Sequence, residues 1–240
     1  QAYDANVESH SGIVQDTRAH NLVRIERGGT VLPQREGNSS QVLALADTAQ
    51  FAYAAADATA VYGANSGVNR VQREIVYLKP DVLVVYDRVD AGAGSTFTWQ
   101  LNSPVDPVVA GTTTTFGGGN DLVMRAITPS TSATTVALAP SFDGENYAGG
   151  FRRELRVSGD DHVEFLTVLS VDGAVSDAVS SPAPGQDGVL ITLAGGGSAQ
   201  VRFNTTSPGG HLTLSVGAGT HDAGLPTGVS PLPQLAGQVR

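Results

Sequence analysis

Two strand-length apolar runs, Val71 to Leu78 and Val82 to Val89, flank a Pro80-Asp81 corner and most narrow what this chain can fold into. Pro fixes its own backbone for a turn and Asp closes turns with its side chain, so the pair reads as an antiparallel hairpin. The same style recurs along the chain. Leu22 to Glu26 alternates, placing Val23 and Ile25 on one face, and Gly28-Gly29 supplies a two-residue turn after it. Thr96 to Leu101 sets Phe97, Trp99 and Leu101 on one face at period two, the residues a sandwich core consumes.

Further strands are expected at Val42 to Ala46 and Phe51 to Ala56, although the Ala-rich second run also suits a helix intrinsically. The second half adds Thr112 to Phe116, Leu122 to Ile127, Thr134 to Leu138, Phe151 to Val157, Val163 to Leu169, Val189 to Leu193, Ala199 to Phe203 and Leu212 to Val216. Roughly a dozen strands or more exceed a small immunoglobulin-like unit. The expectation is all-β: a large antiparallel double-sheet β-sandwich over residues 1–220, followed by a Gly/Pro-rich C-terminal tail over 221–240. The 29 Gly and 12 Pro suit short strands joined by tight turns.

Charge narrows the partners. With 23 acidic against 14 basic residues the net charge is −9, which repels a polyanion at long range and argues against nucleic acid. An acidic polysaccharide stays possible, because local Arg clusters act at short distance. Thirteen of the cations are Arg and Lys79 is the one Lys, which reads either as genome composition or as a preference for carboxylate ligands. There is no Cys, so thiol and disulfide chemistry are out. No stretch approaches 18 apolar residues, so no membrane-spanning helix is expected. With Gln1 first and its one Met at position 124, the chain reads as a mature product or a fragment.

Several short constellations could carry chemistry. His20 stands before an alternating strand in Arg18-Ala19-His20-Asn21, a posture suited either to a metal ligand or to a turn-satisfying surface residue. Asp87-Arg88 ends a strand with adjacent opposite charges and reads as a weak sheet-edge ion pair. The oxygen-rich Asp143-Gly144-Glu145-Asn146 and Asp160-Asp161-His162 could hold calcium, though neither has the spacing of an EF-hand and solvated turns are the ordinary case. Asn38 and Asn204 head glycosylation sequons. No Gly-x-Ser-x-Gly elbow and no His-Glu-x-x-His occurs.

The order of Arg18 to Arg24, Tyr77 to Asp90, Phe97 to Leu101 and Phe165 to Leu169 resembles the C-terminal β-sandwich of heparinase II/III-like polysaccharide lyases. The resemblance runs from about Arg18 to Leu169. It has two departures: Leu22 where Thr is usual, and Asn102 where His is common. It implies part of a longer or multi-chain enzyme cleaving acidic, uronic-acid polysaccharide by β-elimination. The catalytic Asn, Tyr and His of such enzymes lie in an α/α toroid that precedes the sandwich, so none is carried over and this chain alone is expected to be inert. It also implies a structural zinc with His20 as one ligand, and a secreted or periplasmic bacterial setting. The point at which the resemblance begins favours a fragment. The rival readings are a non-catalytic carbohydrate-binding sandwich and a self-assembling extracellular structural one.

Overall fold

The computed structural model describes residues 17, 20–35, 37–117, 120–130, 133–138 and 150–228. Among these, helix is confined to Thr17 and a 3-10 turn at Thr59–Tyr62; the rest is eighteen strands and their connections. They are β1 (Val23–Arg27), β2 (Thr30–Val31), β3 (Gln41–Asp47), β4 (Phe51–Asp57), β5 (Val68–Leu78), β6 (Val82–Ala91), β7 (Ser95–Ser103), β8 (Val108–Ala110) and β9 (Thr113–Phe116). Then follow β10 (Leu122–Thr128), β11 (Thr134–Leu138), β12 (Gly150–Ser158), β13 (His162–Val171), β14 (Val175–Ser180), β15 (Gln186–Leu193), β16 (Ser198–Asn204), β17 (Gly210–Val216) and β18 (Gly219–Leu225).

The all-β expectation holds, but the strands form three sheets and not two. Sheet A runs β11-β12-β7-β1-β2, sheet B runs β3-β4-β5-β6-β13-β10-β9-β8, and sheet C runs β14-β15-β16-β17-β18. Every recorded pairing is antiparallel. The reason for a third sheet lies in β6 and β13, which are buried on both faces. Val82, Val84, Tyr86, Leu166 and Val168 pack with Val189, Ile191, Val201, Phe203 and Leu212 of sheet C. Val89, Ala91, Val163 and Phe165 pack on the opposite side with Val23, Ile25, Phe97, Trp99 and Leu155 of sheet A. Successive side chains of a strand point to opposite faces, so one strand serves two cores. Sheet B is therefore the middle layer.

The hairpin around Pro80-Asp81 forms as expected, with Leu78 opposite Val82 and Val71 opposite Val89. The Gly28-Gly29 turn also forms, with φ of 57° and 79°, left-handed values that glycine adopts without steric cost. Phe51–Asp57 is a strand despite its Ala content, because Phe51, Tyr53 and Ala55 fill the core shared with sheet C. The expected boundary at residue 220 falls inside β18. His221 to Leu225 continue the ladder against β17, and Leu225 is buried.

Phe97 is fully buried between sheets A and B, beside Trp99 and Leu101 on the same face of β7. Phe97→Ala is expected to lower unfolding stability by about 3–5 kcal/mol in a denaturant titration, the usual cost of deleting a core aromatic ring. A loss under about 1 kcal/mol would contradict this packing.

Candidate functional site

Arg73 and Asp87 are cross-strand partners on the sheet-A side of sheet B. The guanidinium grips the carboxylate with both arms, Nε to Oδ1 at 2.7 Å and Nη2 to Oδ2 at 3.0 Å. Its third arm donates to the backbone carbonyl of Asn21 at 2.7 Å. From sheet A, the Gln100 amide donates to the carbonyls of Thr17 at 2.5 Å and His20 at 2.6 Å. Asn102 donates its backbone N–H to Asn21 Oδ1 at 2.9 Å. The His20-Asn21 step is thus held by side chains of both sheets, and Asn21 is brought to Asp87 through Arg73.

Beside this junction lies a cavity of about 130 Å³ lined by Leu22, Val23, Ala56, Ala58, Val71 and Tyr62, with Gln34, Arg73 and Asp87 as its polar members. Burial pushes the Tyr62 phenol upward. A neutral phenol and a fully engaged Arg–Asp pair can orient a small group here. They do not form a nucleophile–base pair.

Arg88 points the other way. The expected weak sheet-edge pair with Asp87 does not form, because neighbours in a strand face opposite layers. Arg88 is only 1% exposed and reaches Glu74, equally buried, at 2.6 Å. It also donates to the carbonyls of Asn204 at 2.5 Å and Ser207 at 3.0 Å, in the β16–β17 turn. Tyr53 donates its hydroxyl to Glu74 and accepts the Gly209 N–H at 3.0 Å; Gly209 also donates to Glu74 Oε2 at 2.8 Å. Burial drives the Glu74 carboxyl upward, and the Arg88 charge opposes that shift. Burial, then the Glu74 charge, holds the Tyr53 phenol protonated. Tyr86 stacks on Phe203 at 5.0 Å and donates to Asp187 at 2.8 Å. This constellation bolts sheet C to sheet B.

A third polar group covers the outer face of sheet A. Arg24 donates to Gln100 at 3.0 Å and to Glu154 at 3.1 Å, while Arg152 donates to Glu154 at 2.7 Å. Arg24 and Arg156 both reach Glu26, at 2.9 and 3.2 Å. Burial acts to raise Glu154, but Arg152 and Arg24 outweigh it and hold the carboxyl below its ordinary range. Its contribution to stability is therefore present above the ordinary glutamate pKa and lost as pH falls through the folded value.

The remaining sequence candidates stand apart. His162 is exposed and lies 3.1 Å from Asp161, not paired with Asp160; the hydrogen bond with Asp161, then the Glu164 charge, raises its pKa. Asp143 to Asn146 lie outside the described residues. Among the described residues no three His, Cys, Asp or Glu side chains converge to hold a metal. Neither zinc at His20 nor calcium at Asp160 to His162 is furnished with a ligand set by those residues, since zinc takes four ligands and calcium six to eight. The sequence reading missed Arg73, Glu74, Gln100 and Tyr53. The hairpin register would have found Arg73, because counting back from the Pro80-Asp81 turn sets it opposite Asp87.

Neither a known family model nor a curated protein matches the chain. Solved structures do. A heparinase III superposes with a TM-score of 0.57 at 13% identity over 78% of this chain and 30% of its own. The heparan sulfate lyase HepC from Pedobacter heparinus gives 0.57 at 12% identity over 79% of this chain and 31% of its own. Another heparinase III structure gives 0.51 at 15% identity over 86% and 29%. At these identities the likeness is one of fold. The chain spans about three-tenths of the length of these lyases.

Arg88→Met strands a buried Glu74 and is expected to cost about 3–5 kcal/mol in denaturant unfolding. Combining it with Glu74→Leu should recover much of that loss. Equal losses in the single and double variants would show that Glu74 and Arg88 do not depend on each other.

Proposed function

We propose that this chain is the β-sheet portion of a polysaccharide lyase that cleaves acidic, uronate-containing polysaccharide by β-elimination. The observation that carries the reading is the fold shared with three lyase structures over 78–86% of this chain. In such a reaction a base removes the proton beside the carboxylate, and its electron pair forms the new C=C bond. The C–O bond at the β position breaks and the leaving oxygen takes a proton. Donors aimed at the substrate carboxylate stabilise the developing charge, and this stabilisation is the dominant contribution in such chemistry.

The described side chains bind and position; they supply no base beside an open carboxylate-binding cluster. Arg73, Arg88, Arg24 and Arg152 are already engaged with acidic partners. The acid–base groups are accordingly assigned to a helical toroid portion, and the chain by itself to a non-catalytic role. Acting on an extracellular polymer implies a secreted or periplasmic setting. A structural zinc at His20 would need ligands from beyond the described residues to complete its four, and no step is routed through it.

A self-assembling structural role is the second reading. It is favoured by edge strand β8, whose Val108 and Val109 are 71% and 43% exposed. Unpaired edges with apolar side chains are templates for pairing with a neighbour.

The test is ultraviolet absorbance of unsaturated product from alginate and glycosaminoglycan substrates. The chain alone is expected to give none, and the same chain within a polypeptide carrying the helical portion is expected to give product. Product from the chain alone would overturn the division of roles. An inert longer polypeptide, together with concentration-dependent assembly of the chain, would favour the structural reading.

A further inference from the structure

The inner-face pairs of β17 and β18 run Leu212–Ala223, Leu214–His221 and Val216–Gly219. The first pair belongs to the core shared with sheet B. The last two line an open notch of about 280 Å³ at the end of the B/C sandwich, closed on the other side by Gln50 of the β3–β4 turn. Thr220 completes the lining.

Three features make this notch more than a gap. His221 occupies an inner-face position, with its ring 6.0 Å from Phe51 and tilted by 52°. Its Nε2 is shielded from solvent and has no hydrogen-bond partner among the described residues. A nitrogen that water cannot reach is closed to a ligand in an open notch as well, so His221 serves the notch as a ring wall beside Phe51. The Gln50 wall is also held in place: its carbonyl accepts the Lys79 N–H at 3.0 Å, and Thr48 Oγ1 accepts its N–H at 3.3 Å. Finally, Gly219 keeps the mouth open, since a Cβ built there meets only the Val216 carbonyl at 3.8 Å.

The chemistry of the lining selects the occupant. Leu214 and Val216 offer aliphatic surface, Gln50 and Thr220 offer hydrogen bonds, and no lining side chain carries a permanent charge. The volume falls just below the roughly 300 Å³ at which drug-sized ligand pockets begin, which limits the occupant to about one ring. A pyranose presents C–H surface and hydroxyl groups together. We propose that the notch binds one uncharged sugar ring of a saccharide chain, remote from the Arg73–Asp87 junction. The choice of a sugar rests on the polysaccharide reading above; the notch itself rests on geometry alone.

The test is an NMR titration of the 240-residue chain with the methyl glycosides of glucose and galactose and with N-acetylglucosamine. Saturable shifts at Gln50, Phe51 and His221 are expected with at least one of them. Gly219→Leu, which fills the mouth at an unstrained position, should weaken the apparent affinity at least about tenfold, a change of about 1.4 kcal/mol. His221→Ala, which removes the ring wall beside Phe51, should weaken it in the same direction. Absence of saturable shifts, or unchanged affinity in Gly219→Leu, would overturn the proposal. Self-association abolished by Gly219→Leu, without any sugar response, would assign the notch to a second copy of the chain and overturn it as well. Binding is read without turnover, so saturation in a chain whose longer form is inert on uronate polymers would uphold the notch while the lyase reading fell.

Discussion

Burial of sheet B on both faces is the constraint from which the rest of this architecture follows. Strands β6 and β13 are apolar at consecutive positions, as at Val84-Val85 and Phe165-Leu166, because each parity of residue faces a different core. A strand with one wet face alternates; a strand between two layers does not. Sheets A and C are then stabilised largely by what sheet B offers them.

The two layers meet sheet B through ion pairs that leave β6 at adjacent positions. Asp87 turns toward sheet A and, through Arg73, fixes the carbonyl of Asn21. Arg88 turns toward sheet C and fixes the β16–β17 turn through Asn204 and Ser207. The buried pair on the sheet-C side is completed by Tyr53 and Gly209, so the carboxylate of Glu74 is not left with a single partner. Such a pair gains little over apolar packing, but losing one member is expensive. Its physical role is to set which turn of sheet C docks where.

Much of this was legible in the sequence, and the gaps have physical causes. Pro80-Asp81 and Gly28-Gly29 announced their hairpins because turn chemistry is local. Phe97, Trp99 and Leu101 announced a core face because period two is local too. The third sheet was not visible, since period two does not say how many layers a strand will touch. Strand β18 was missed because Gly219 to Leu225 has little β-branched character and is held by its pairing with β17. Asp87-Arg88 was read as one surface pair because the true partners lie 14 residues away, at Arg73 and Glu74, and depend on hairpin register. His20 was singled out for its imidazole; that its backbone carbonyl accepts from Gln100, 80 residues away, is a long-range contact no local pattern announces.

For function, a middle sheet with both faces occupied leaves only rims, edges and outer faces for ligands. The most direct measurement of the architecture is amide hydrogen exchange resolved by strand. Strands β5, β6 and β13 are expected to exchange slowest, near the limit of global unfolding, with sheets A and C releasing earlier. Exchange in β15 to β17 slower than in β6 and β13 would contradict the dependence on sheet B, because sheet C would then be stable without its supporting layer.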